Sequence, residues 1–216
     1  MNKPNFGLFL LAFALLSSQP VFATGEVLTF RGKIERINNE SYLSESRSKL
    51  SLKMDYFNDI SKQQIDRLGA GDYVSVTATV DEHNPNYIHV NSVDYVGLKT
   101  LLGTWKSEIN LCYEFTGFTT FYVYTPNSKG LCIRQTAKTP AKPQTNKYNF
   151  FINPDIDTWN LLISSQDNNF VGELMIHDDN NIEIQLFDNQ TDAVLDAIVL
   201  RRLLNADSQP KRSLLL

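Results

Sequence analysis

The sequence predicts a mainly β protein, a small barrel followed by an antiparallel up-and-down barrel. Three observations carry this. Short runs with apolar residues at every second position recur along the chain, polar turns rich in Asn, Asp and Gly separate them, and only ISKQQIDRL has apolar spacing suited to a helix.

The first residues, MNKPNFGLFLLAFALLSSQPVFATGEV, carry one Lys, an apolar run from Phe6 to Leu16, a helix-weakening Ser-Ser-Gln-Pro and then Val21-Phe22-Ala23. That is the n-region, h-region and small-residue cleavage site of a secretory signal peptide. The run falls short of the ~20 residues a membrane span needs. Residues 1–23 are therefore expected to be removed, leaving a soluble chain in the periplasm or outside the cell, with no integral membrane segment. The signal takes one Lys with it, so 19 Lys plus Arg face 24 Asp plus Glu. That mild acidity gives no general pull toward anionic membrane, and nucleic acid is not expected as a partner. Cys112 and Cys132 are the only cysteines. In an oxidising compartment they form one structural disulfide or remain two buried thiols; their spacing matches no redox or zinc motif.

From Val27 the chain reads VLTFRGKIERI, KLSLKMDYF with a further strand in its approach, the polar stretch holding the helix, YVSVTATV, the turn DEHNPN and YIHVNSVDYVGL. With FRGKIERI as a first strand bent at Gly32, and LGAGDYVSVTATV leading from the helix into a strand, residues 24–99 resemble an OB-fold domain.

After the short VGLKT comes LLGTWKSE, then LCYEF, TTFYVYT, GLCIRQT, KYNFFI, TWNLLI, NFVGELMI, NIEIQLF and DAIVLRRL. With the opening GTWKSE these make nine candidate strands, one of which is expected to be a loop. A meander of this kind closes into a barrel because closure removes exposed edges. Gly103-x-Trp105 resembles the G-x-W start of the lipocalin-like barrels, and residues 100–204 are read as such a domain, with 205–216 as a tail. The resemblance implies that Trp105 closes one end, and that Arg202 on the last strand packs across it. Ile198 and Leu200 share the face of Arg202; Phe170, Leu174 and Ile176 share another with Gly172.

No G-x-S-x-G, H-E-x-x-H or phosphate-cradling glycine loop occurs, so neither catalysis nor a cofactor is expected. His83, His89 and His177 lack metal-binding spacing. Arg31, Lys33, Arg36, Arg47, Lys49 and Lys53 concentrate positive charge in the first domain, but Glu26, Glu35, Glu40, Glu45 and Asp55 are interspersed, which reads as a solvated, charge-mixed face. The second domain is rich in aromatics. Parity turns Phe115, Phe150, Trp159 and Phe170 inward, opposite Glu114, Asn149 and Asn160. An eight-stranded barrel is filled by its own side chains or holds one small ligand. The expectation is an exported binding protein whose second barrel takes a small apolar or amphipathic ligand on those four residues. The alternative is a protein-interaction or structural module of the bacterial envelope or secreted fraction, with filled barrels.

Overall fold

The computed structural model describes residues 25–45, 50–134, 145–166, 168–188, 190–191 and 193–203. The expected signal peptide and tail, and Arg47 and Lys49, lie outside them. Strands hold 60% of the described residues and helix 7%, which makes the fold mainly β.

The first five strands are β1 (Val27–Ile37), β2 (Glu40–Ser44), β3 (Ser51–Tyr56), β4 (Tyr73–Val80) and β5 (Tyr87–Gly97), with helix α1 (Asp59–Asp66) between β3 and β4. Their order β1-β2-β3-β5-β4 closes on itself through β1–β4, and only the β3–β5 pair is parallel. β1 serves both sides of the closure, pairing β4 through residues 27–33 and β2 through 33–37. Gly32 stands at the changeover, where a Cβ would lie 2.5 Å from the Ser44 carbonyl oxygen, so the bend needs a bare backbone. α1 starts because the Asn58 side chain caps the Ser61 N–H at 2.8 Å, and it buries Ile65 against the barrel.

A 3₁₀ turn, Lys99–Leu101, leads to eight strands: β6 (Gly103–Ser107), β7 (Cys112–Phe115), β8 (Thr120–Tyr124), β9 (Thr145–Pro154), β10 (Trp159–Ser164), β11 (Asn169–Asp178), β12 (Asn181–Phe187) and β13 (Val194–Arg202). Each pairs antiparallel with the next, and β13 returns to β6, closing an eight-stranded antiparallel barrel. GLCIRQT is the run that is not a strand over its described part. Cys132 is bridged to Cys112, with Cα atoms 5.6 Å apart, and Arg134 pairs with Glu114 at 2.8 Å and stacks 4.0 Å over Tyr122. Residues 130–134 are thus laid across the outer face of β7 and β8 instead of entering the wall. Closing a loop of this length stabilises by about 3 kcal/mol.

The two barrels share one hydrophobic core and one hydrogen-bonded sheet, joined where Val96 of β5 pairs Ile152 of β9. The β7–β8 turn rests on the first barrel: the Phe118 ring stacks on Tyr73, and its carbonyl accepts from the Tyr95 hydroxyl. Phe118 can sit there because residue 97 is glycine, where a Cβ would lie 2.6 Å from the Phe118 Cβ. Gly97→Ala is expected to cost about 1–3 kcal/mol by forcing that turn away. Thermal melts should show the loss, and Phe118→Gly in the same chain, which removes the Cβ as well as the ring, should recover part of it; full additivity would mean the two do not meet.

Candidate functional site

Alternation decides which residues enter the second barrel. On β7, β9 and β10 the buried residues are Tyr113 and Phe115, Phe150 and Ile152, and Trp159, Leu161 and Ile163, while Asn149, Phe151 and Leu162 face outward. Phe115 meets Phe121 at 5.1 Å and Phe150 edge-on at 5.5 Å; Phe121 in turn stacks on Tyr148 at 5.1 Å. Phe115 and Phe150 therefore belong to one packed aromatic cluster. Phe170 is half-buried, its register partner Ile163 lying opposite Phe150. Trp159 belongs to a different level of the barrel, beside Pro154 and Leu174.

That level is closed by two arginines, each lying on a tryptophan. The Arg202 guanidinium lies 4.2 Å over Trp105 and donates to the carbonyls of Asp179 at 2.7 Å, Leu102 at 2.8 Å and Thr100. Trp105 is fully buried and donates its indole N–H to the Leu101 carbonyl at 2.8 Å. Gly103 adopts φ +122° beneath Arg202, where a Cβ would meet Nη1 at 3.2 Å, so the glycine of G-x-W makes room for the lid. The second lid comes from the first barrel. Arg67, at the end of α1, lies 3.9 Å over Trp159 and donates to the carbonyls of Asp155, Ile156, Asp157 and Thr158. Gln64 of α1 adds a buried bond to the Pro154 carbonyl at 2.8 Å. Partial burial pulls both guanidinium groups below their ordinary pKa, Arg67 and Arg202 alike.

Toward the other end the interior holds Tyr113, whose hydroxyl is pushed up to about 12 by burial and then by the charge of Asp196. In the first barrel Arg36 donates to the carbonyls of Ile65 and Leu68 and pairs with Asp66, so it fastens α1, while Lys53 is paired with Glu40. His89 sits 3.0 Å from Asp81, and that bond holds the Asp81 carboxyl below its usual range. Among the described residues no group of three His, Cys, Asp or Glu gathers as a metal site.

The outside of the second barrel carries what the pattern reading passed over. Phe151, Leu162, Val171, Phe187 and Val194 are register partners in succession across β9, β10, β11, β12 and β13. Leu162 is 51% exposed and Val194 56%, with Phe151 and Val171 near 40% and 39%. Over β9 to β11 the row lines a depression of about 430 Å³ rimmed by Asn149, Ser164 and Asn169. The signal was present as apolar doublets, Phe150-Phe151, Leu161-Leu162, Phe170-Val171 and Leu186-Phe187, in strands where alternation requires only one apolar face. Among the described residues no helix is long and apolar enough to cross a membrane. In comparisons with protein-family models, curated proteins and solved structures, nothing matches this chain.

Proposed function

We propose that this chain is an exported, non-enzymatic protein-interaction module, with a filled second barrel whose outer wall is the working surface. The single observation that carries this is the pairing of a ring-packed interior with an apolar row on the solvent side. Large exposed apolar patches on a monomer mark contact surfaces, whereas an interior occupied by its own rings leaves a ligand little room. The disulfide fits an oxidising compartment and so supports export. The β1-β2-β3-β5-β4 order with a helix after β3 supports the OB-like reading of residues 24–99. Eight consecutive antiparallel strands with Trp105 and Arg202 at the seam support the lipocalin-like reading of 100–204.

A photo-crosslinking residue at Leu162, introduced in the cells that make the protein, tests the wall. Adducts of defined mass are expected at Leu162 and not at Arg31, which lies outside the row. An absence of adducts at Leu162, together with fatty-acid binding that Phe115→Asp abolishes, would return the function to the barrel interior.

A further inference from the structure

We propose that the free edge of β13, from Val194 to Val199, docks an extended segment of another polypeptide, which joins the sheet as an added strand. This rests on the interaction-module reading and names the partner's chemistry.

The edge arises from a mismatch at the seam. β13 has nine residues and β6 five, and they pair only through Leu200–Ser107, Arg201–Lys106 and Arg202–Trp105. At Ser107 the chain turns away toward β7, with Ser107 accepting from Asn110 N–H and donating to Leu111. β12 covers the opposite side of β13 along its length. Among the described residues, nothing pairs with the other side from Val194 to Val199. Every second residue of a strand sends its N–H and C=O to each side, so a row of main-chain donors and acceptors faces outward there. Water meets such groups one at a time, whereas another extended main chain pairs with the whole row in register. Exposed edges are commonly blunted by charge, proline or a cover. This stretch, VLDAIV, has no proline and one charge, and Val194 and Leu195 are 56% and 62% exposed.

Two features define the occupant. The apolar row across β9 to β12 ends on Val194, so an added strand with apolar outward residues continues it. Asp196 is the one charge, turned to the other face beside Tyr113; among the described residues it makes no ion pair, and its Oδ1 accepts only from the adjacent Ala197 N–H. The partner strand is therefore apolar on one face and carries a cation on the other.

The probe is a fluorescein-labelled, end-blocked heptapeptide, Val-Thr-Val-Lys-Val-Thr-Val, titrated into the full mature protein. Saturable binding is expected, with hydrogen exchange at Val194–Val199 slowed at least tenfold. Of two analogues N-methylated at alternate residues in opposite phases, one should fail and the other bind. Asp196→Lys should weaken binding at least tenfold, and a peptide with Glu in place of Lys should restore it. Equal binding of both analogues, or unchanged exchange at saturating peptide, overturns the assignment. So does protection of those amides that grows with protein concentration alone, since a second copy would then hold the edge. Crosslinking at Leu162 separates the failures: adducts there with no peptide binding sink the edge alone, and loss of both sinks the module reading.

Discussion

Replacing Arg67 by alanine should lower the stability of both barrels together by about 2–3 kcal/mol. Arg67 sits on the first barrel's helix, yet its guanidinium holds four successive carbonyls of the β9–β10 turn, 155 to 158, and covers the Trp159 ring. Alanine removes the fork and exposes the tryptophan edge. Solvent rehydrates part of the turn, which keeps the loss below the sum of the separate bonds. For a chain of this size the change corresponds to a fall in Tm of about 5–10 °C. Arg67→Lys should recover little, because one ammonium cannot reach four carbonyls and lie flat on an indole. Far-UV circular dichroism and tryptophan fluorescence should report one coincident transition, since both tryptophans lie in the second barrel while the lid belongs to the first. Two separated transitions in the native protein would mean that the Arg67 lid does not couple the barrels.

Arg202→Lys is the second large effect, expected at about 2 kcal/mol despite the retained charge. The planar group stacks on Trp105 and ties β13 to the Thr100 and Leu102 carbonyls of the segment leading into β6. Only three residue pairs hold that seam, so the side chain supplies much of its strength. Tryptophan emission should shift to the red in the folded variant as water reaches Trp105. An unchanged melting temperature with unchanged emission would show that the stack contributes nothing.

What the sequence reveals is what local periodicity encodes. Which faces of β7, β9, β10 and β11 turn inward was legible because side chains alternate with period 2, and Trp105 and Arg202 were legible from a motif and a parity. GLCIRQT alternates as well as its neighbours do, but the disulfide and the Arg134–Glu114 pair hold its described part on the outside of the wall. Arg67 gave no sign of its role, because its partners lie 88 to 91 residues away. Phe151, Leu162 and Val171 form a row only once the registers of three strands are set, and the open edge of β13 follows from unequal strand lengths at the seam. Neither property belongs to any one segment.

The claim that function lies outside a filled barrel meets its most direct test in titration of the delipidated mature protein with fatty acids, sterols and an environment-sensitive hydrophobic dye, read by dye emission and by Trp105 and Trp159 fluorescence. A packed interior predicts no saturable change in tryptophan emission, and dye binding that Leu162→Asp removes while Phe150→Leu leaves it intact. Stoichiometric binding that alters tryptophan emission and survives Leu162→Asp would contradict it.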